Sequence, residues 1–288
     1  MTNTSPENIL RHFKALAREV GRELKPYYGK VTGVTTKMDG TTRCDQDLLA
    51  SKRVLNHFKT YFPDVGILEE ETLQDDRAEG RLCLGADGLD YTRGYMKGTS
   101  ADYAVLLFAL QGFRTVVALS YKPERNEMIW AVEGHGAYLN DEDTRIRVAE
   151  GDELRLISSR SRGREQLEEL VADLQPLLHI RMGGSAKYLE VAKGEQRVND
   201  VGEREIVTIG YQPPGIALNP WDLGVHPLII EEAGGIMKTA LGNDVSLARR
   251  DDGFEHKDGL IIANNRVTYE RLLEASKRLI ERREQITY

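Results

Sequence analysis

Asp87 and Asp90 stand three residues apart in the run Ala86-Asp87-Gly88-Leu89-Asp90-Tyr91-Thr92-Arg93-Gly94, directly after the apolar Leu82-Cys83-Leu84. The apolar triplet reads as a short buried strand, and Gly85 and Gly88 mark its end. Two carboxylates at the end of a buried strand repel at close range unless a cation lies between them. An oxygen-only site of this kind suits a hard cation such as Mg²⁺. The local alternative is an ordinary turn, because Asp and Gly are both turn residues. Three further acidic groups bear on that choice. Asp45-Gln46-Asp47 heads a helical pattern, Glu69-Glu70-Glu71 follows the apolar run Val65-Gly66-Ile67-Leu68, and Asp222 sits between Trp221 and an apolar helix. Each has a structural explanation of its own: Asp at a helix N-terminus, or glutamates in a solvated loop. Together the four groups point to carboxylates gathered from both halves of the chain around divalent metal. Such a site suits phosphate hydrolysis, in which metal neutralises the phosphate, acidifies a water and stabilises the leaving oxygen. Phosphoryl transfer is mostly positioning and charge stabilisation, so no Ser, Cys or His nucleophile is required.

The elements that must position these residues fall into two textures. Ile9, Leu10, Phe13, Leu16, Ala17, Val20 and Leu24 recur at helical spacing, with Ser5-Pro6 as cap and first helical residue. A Gly- and Thr-rich loop from Gly29 to Thr42 leads to a second helix from about Asp45 to Tyr61. Strand-like runs follow at Tyr103 to Leu110, Thr115 to Tyr121, Met128 to Val132, Arg145 to Ala149 and Leu154 to Ser158. Their short connections predict a meandering, largely antiparallel sheet with the N-terminal helices on one face. Beyond Ser159 the pattern alternates. A helix (about Arg164 to Leu174), a strand (Leu178 to Met182), a helix (Ser185 to Lys193), a helix after Trp221, a strand (Gly259 to Ala263) and a helix (Thr268 to Arg283) predict a second α/β half. The expected division is 1–155, an α+β half with the acidic motifs, and 156–288, an α/β half that adds Asp222. No Pro-, Gly- or Ser-rich linker separates them, so they are expected to pack tightly.

Composition narrows the class. At 288 residues the chain holds one large domain or two that share an interface, and 40% hydrophobic residues exclude a disordered protein. The net charge of −7 gives no reason to expect a nucleic-acid partner. A small anionic substrate stays open, because a metal inverts the local charge. Cys44 and Cys83 form neither a zinc spacing nor a disulfide framework. Met1 to Pro26 has no apolar leader core and no stretch is long enough for a bilayer, so no membrane partner and a cytoplasmic location are expected.

Three motifs in order carry a resemblance. Ile67-Leu68-Glu69-Glu70-Glu71-Thr72 resembles a Gly-Glu-Glu-Ser segment, Asp87-Gly88-Leu89-Asp90-Tyr91-Thr92 resembles Asp-Pro-Ile-Asp-Gly-Thr, and Trp221-Asp222 with Glu232-Ala233-Gly234-Gly235 resembles a Trp-Asp…Glu-Ala-Gly-Gly signature. These belong to the lithium-sensitive, metal-dependent phosphatase superfamily of inositol monophosphatases, fructose-1,6-bisphosphatases and 3′(2′),5′-bisphosphate nucleotidases. The resemblance runs from Lys37 to about Gly235. It implies an α/β (α+β) fold of the layered α/β/α/β/α sandwich type, roughly two or three Mg²⁺ ions per site, and a first guess of a homodimer. By position, Glu70, Asp87, Asp90, Asp222 and the Leu89 carbonyl match metal ligands. Asp47 and Thr92 match the pair that orients the attacking water, and Glu71 matches the second glutamate of its motif. The N–H groups of Tyr91 and Thr92 match those that hold phosphate, in keeping with anion binding at helix starts.

Substrate choice rests on other positions. Ile157-Ser158-Ser159-Arg160-Ser161-Arg162 resembles the Ser-Arg-Ser-His segment of bisphosphate nucleotidases, and Gly183-Gly184-Ser185-Ala186-Lys187-Tyr188 resembles their small-polar run ending in Lys and an aromatic. Arg160, Ser185 and Lys187 are therefore expected around a second phosphate, where Arg and Lys would neutralise it. The leading expectation is a Mg²⁺-dependent nucleotidase that releases the 3′-phosphate of adenosine 3′,5′-bisphosphate. An inositol monophosphatase or sugar phosphatase is the alternative, and a non-catalytic homologue that binds metal and phosphate is a third. Departures cluster at the site: Gly88 stands for Pro, Tyr91 for Gly, Cys44 for Thr, Arg162 for His, and Val225-His226 for small residues.

Overall fold

In the computed structural model, residues 3–37, 40–140, 144–249 and 256–286 are described. The Ser5 hydroxyl accepts the Asn8 N–H at 3.3 Å and starts α1 (Pro6–Leu24). Its apolar stripe, Ile9 to Leu24, is buried as the spacing requires. A hairpin, β1 (Thr35–Thr36) and β2 (Thr42–Arg43), lies in the Gly- and Thr-rich loop and leads into α2 (Asp45–Tyr61). Then come β3 (Gly66–Glu69), β4 (Gln74–Asp75), β5 (Leu82–Asp90), the short α3 (Thr92–Lys97), β6 (Ala104–Gln111), β7 (Arg114–Lys122), β8 (Glu127–Val132), β9 (Gly136–Leu139) and β10 (Thr144–Ile146). These eight strands form one sheet in the order β10-β9-β8-β7-β6-β5-β3-β4. All pairs are antiparallel except β3 with β5.

The second sheet contains β11 (Arg155–Ser159), β12 (Leu178–Met182), β13 (Ile209–Gln212), β14 (Ile236–Lys238) and β15 (Leu260–Ala263), in the order β12-β11-β13-β15-β14. Between these strands run α4 (Arg164–Leu174), α5 (Pro220–Leu223) and α6 (His226–Glu232), and α7 (Arg266–Ile286) follows the last one.

Three cores stack these parts. α1 and α2 cover one face of the large sheet, with Phe13, Phe58, Tyr95 and Tyr103 among the buried residues. α5 and α6 fill the space between the sheets, with Phe108, Trp221 and Ile229. α4 and α7 close the outer face of the second sheet over Leu156, Leu170, Tyr211 and Leu272. The result is the α/β/α/β/α layering expected. No helix among the described residues is long and apolar enough to cross a membrane.

Three local expectations are corrected. The strand through Leu82-Cys83-Leu84 does not end at Gly85 but runs to Asp90, with a register shift between Asp87 and Asp90. Its glycines serve packing. A Cβ on Gly85 would overlap the Phe108 ring, and one on Gly88 would come 2.8 Å from the Ala50 Cβ. Leu154 to Ser158 does not extend the meander but pairs in parallel with β12 and β13, opening the second sheet. The helix expected from Ser185 to Lys193 is two 3₁₀ turns, Ala186–Glu190 and Gly194–Gln196. Every residue of the first turn is buried, so no amphipathic stripe shapes it.

Candidate active site

β5 delivers Asp87, Leu89 and Asp90 in one stretch. The parallel register pairs Glu69 with Ala86, so Glu70 leaves β3 level with Asp87. Asp222 arrives from the second half on α5, where its Oδ2 accepts the Asn219 N–H at 3.0 Å. Asp87, Asp90 and Asp222 each place one carboxylate oxygen within 4.8 Å of the other two. Burial, then Glu70, Asp90 and Asp222, hold the Asp87 carboxyl well above its ordinary range. Burial and then Asp90 push Asp222 up to about 6. Burial also pushes Glu70 up to about 8; Lys37 opposes the rise and Asp222 adds to it. Buried carboxylates that raise one another's pKa are those a cation would relieve. The donors are all hard oxygens, which fits Mg²⁺. Glu70 lies outside the tight trio: Lys37 Nζ reaches its Oε1 at 2.6 Å and Glu71 Oε1 at 2.5 Å. Sequence reasoning gave Lys37 no role, and its position in a loop offered no periodic signal. The Leu89 carbonyl lies 3.2 Å from the Thr92 hydroxyl oxygen, and the Leu89 N–H donates to Asp87 Oδ1 at 2.9 Å.

Asp47 and Thr92, the pair expected to orient the attacking water, are in direct contact. The Thr92 hydroxyl lies 2.7 Å from Asp47 Oδ1, its shorter contact. Asp47 Oδ2 accepts the Cys44 N–H at 2.7 Å and the Cys44 thiol at 3.1 Å. Burial and the Asp47 charge push the thiol pKa up to about 12, so it stays a donor. Tyr91 sits in the left-handed region, φ 69° and ψ 44°, immediately before α3. A non-glycine residue there costs ~1–2 kcal/mol. Tyr91 and Thr92 stand at the start of α3, where the first N–H groups of a helix have no carbonyl partners within it.

The sequence profile of the inositol monophosphatase family matches residues 5–281. The chain belongs to the inositol monophosphatase family. The chain is 25% identical over 257 residues to a Thermotoga maritima fructose-1,6-bisphosphatase/inositol-1-monophosphatase, covering 85% of this chain and 90% of that one. It is 29% identical over 270 residues to the Nus factor SuhB of Xylella fastidiosa, with 88% and 89% covered. It is 28% identical to an inositol-1-monophosphatase of Synechocystis, with 75% and 74% covered. Among solved structures, the Thermotoga maritima IMPase superposes with a TM-score of 0.80 at 21% identity, over 96% of this chain and 99% of that one. An IMPase/NADP phosphatase complexed with Mg²⁺ and phosphate gives 0.74 at 17%, over 93% and 95%. The layered sandwich is thus the fold of the family, and the chain is a phosphatase of a metal-dependent family.

The residues expected around a second phosphate do not share one cluster. Arg160 is exposed and its Nε donates to the Arg181 carbonyl at 3.4 Å. Ser185 turns to Asp90: its N–H donates to Asp90 Oδ2 at 2.8 Å, and its hydroxyl to the same oxygen at 3.2 Å. Lys187 is buried, with Nζ 2.6 Å from the Gly184 carbonyl and 4.2 Å from the Tyr188 ring centroid. Burial lowers its pKa to about 8, against the pull of Asp90 and Asp222. Arg162, the departure from His, donates to the Ala217 carbonyl at 3.3 Å, and its charge lowers the pKa of both Lys187 and Asp222. His226 is also part of this wall. Its Nε2 lies 2.9 Å from the Ser185 carbonyl, its Nδ1 3.3 Å from the Leu223 carbonyl, and burial holds its pKa down at about 4.

Proposed function

We propose that this member of the inositol monophosphatase family hydrolyses a small polyol or sugar phosphate monoester with Mg²⁺. The observation that carries the proposal is the convergence of Asp87, Asp90 and Asp222 next to the Asp47–Thr92 pair. Glu70, Asp87, Asp90, Asp222 and the Leu89 carbonyl would hold the metal, which supplies charge neutralisation of the phosphate and an acidified water. Thr92 donates its one proton to Asp47, so its oxygen lone pairs are left to accept from a water. Asp47 is the acceptor that draws that water's proton through Thr92, and the Tyr91 and Thr92 N–H groups hold the phosphate. Glu71 keeps Lys37 close to Glu70. The 1–155 half carries this machinery, and the 156–288 half completes it with Asp222 and the Gly183 to Lys187 segment. The names of the Thermotoga maritima and Synechocystis relatives favour inositol phosphates among the candidates.

Adenosine 3′,5′-bisphosphate is a second reading, favoured by the cationic pair Arg162 and Lys187 beside Asp222. Phosphate release from inositol 1-phosphate, fructose 1,6-bisphosphate and adenosine 3′,5′-bisphosphate, with and without Mg²⁺, separates the readings. Lys187→Ala is expected to lower turnover of the bisphosphate nucleotide about ten- to a hundred-fold if Lys187 meets the second phosphate. It should leave inositol 1-phosphate nearly unchanged. Absence of Mg²⁺-dependent release from every substrate would reject the proposal in favour of a non-catalytic homologue.

A further inference from the structure

Two bulky residues stand where the family's small ones were expected, and both close on the same turn. The Tyr91 ring lies between Gly94 on α3 and Gly183 after β12, and a Cβ on either glycine would overlap it. Gly184, at φ +73°, is so close that a Cβ there would come 2.9 Å from Asp90 Oδ2 and 3.1 Å from the Tyr91 Cβ. His226, the first residue of α6, reaches the next residue of the turn through the 2.9 Å contact from Nε2 to the Ser185 carbonyl. The turn thus has Tyr91 against its glycines and His226 on its last carbonyl. What the turn presents is a row of donors to Asp90: Ser185 N–H at 2.8 Å, Ala186 N–H at 3.2 Å and the Ser185 hydroxyl at 3.2 Å, all on Oδ2. Among the described residues, Oδ1 receives only the longer branch of the Ser185 N–H, at 3.1 Å.

We infer that Tyr91 and His226 are positioning residues that clasp the 183–185 turn so that its N–H groups fix Asp90 with Oδ1 turned to the metal. The inference rests on the proposed metal-ligand role of Asp90. Partners that orient a ligand in this way govern metal affinity as well as geometry. The left-handed tyrosine then has a reason: its backbone is strained at the place where its ring is needed to pin the turn.

Mg²⁺ titration by calorimetry on the purified full chain tests this, with circular dichroism to show that each variant is folded. Tyr91→Gly relieves the backbone and removes the ring, so it is expected to weaken Mg²⁺ binding about tenfold or more while the fold is kept. Tyr91→Phe, which keeps the ring, should bind within about twofold of the parent. His226→Ala should weaken binding, and His226→Gln, which retains a side-chain donor, should restore most of it. Gly183→Ala supplies the coupling test. It should weaken Mg²⁺ binding in the parent, where its methyl meets the ring, and add nothing in a Tyr91→Gly background. Asp90→Asn is the reference. If Asp90→Asn loses Mg²⁺ while Tyr91→Gly and His226→Ala bind like the parent, the clasp is refuted and the metal site stands. If Asp90→Asn itself binds like the parent, the metal-site reading beneath the inference has failed.

Discussion

Cys44 and Thr92 divide the oxygens of Asp47 between them. Held this way, Asp47 has no oxygen committed to the acidic trio, whereas Asp90 and Asp87 face each other across it. The two kinds of carboxylate should therefore separate in mutants. Asp90→Asn is expected to lose Mg²⁺ affinity and turnover together. Asp47→Asn should lower kcat by about 10²–10⁴-fold, the scale of a lost proton acceptor, while Mg²⁺ affinity falls much less. Equal loss of affinity in both variants would reject this division of roles. The raised carboxylates give a second expectation. Glu70 is pushed up to about 8 and Asp222 to about 6, above their ordinary values of 4.5 and 3.8. Groups raised on folding favour the folded state only while protonated, so their contribution is present below about pH 4 and is lost as pH rises through about 8. The metal-free protein is thus expected to show a falling Tm contribution between pH 5 and 8. Saturating Mg²⁺ should raise Tm more at pH 8 than at pH 5.5, because bound cation replaces the protons. A Mg²⁺-induced rise in Tm that does not depend on pH would contradict the assignment.

Among the elements, β5 and α5 must meet with their aspartates in register, and Phe108 of β6 fills the space between them. Its ring lies against Gly85 of β5 on one side and Gly224, just after α5, on the other; a Cβ on either glycine would overlap it. Phe108→Ala should open a cavity and cost about 3–5 kcal/mol, read from urea unfolding. It should also weaken Mg²⁺ binding, because Asp87 and Asp222 lose their common spacer. Phe108→Leu should recover most of both. This packing explains why part of the site was legible and part was not. The four acidic groups at the ends of apolar runs are displayed directly by the sequence, and the motif resemblance singled out Glu70, Asp87, Asp90 and Asp222 among them as the expected ligands. The end of β5 was misjudged because Gly85 and Gly88 carry a turn signal in sequence, while in space they make room for Phe108 and Ala50. Tyr91 and His226 meet a turn whose Ser185 is more than ninety residues from Asp90, and no local period records such contacts.

At the scale of the whole molecule, the large sheet is tied by charge to the segment that links β12 to β13, in addition to the apolar middle layer between the sheets. Glu190, in the 3₁₀ turn before Gly194, accepts Lys122 Nζ from β7 at 2.6 Å. Lys193 Nζ at 2.9 Å and Arg197 Nε at 3.0 Å also face it, and all four side chains are buried. Burial alone would raise the Glu190 pKa, but Lys122, Lys193 and Arg197 outweigh it and hold the carboxyl far below its ordinary range. Its sign is therefore opposite to that of Glu70, Asp87 and Asp222. A group lowered on folding contributes stability above its unfolded pKa, near 4.5, and loses it as pH falls below that value. Glu190→Gln removes the carboxylate that Lys122, Lys193 and Arg197 share, leaving Lys193 to Glu127 at 2.8 Å and Arg197 to Glu205 at 2.7 Å, so a loss of up to about 3–5 kcal/mol is expected at pH 7. Salt should change that loss little, since buried pairs are poorly screened. Denaturant melts of parent and variant should draw together as pH drops below about 4.5, where the parent's advantage is titrated away. The metal-free site makes its own demand in the other direction, so the parent without Mg²⁺ is expected to be most stable in mildly acidic buffer. Mg²⁺ should move that optimum upward in both parent and Glu190→Gln. If the variant is as stable as the parent at pH 7, the ionic joint does not hold that segment to the large sheet, and the apolar layer around α6 alone must do so.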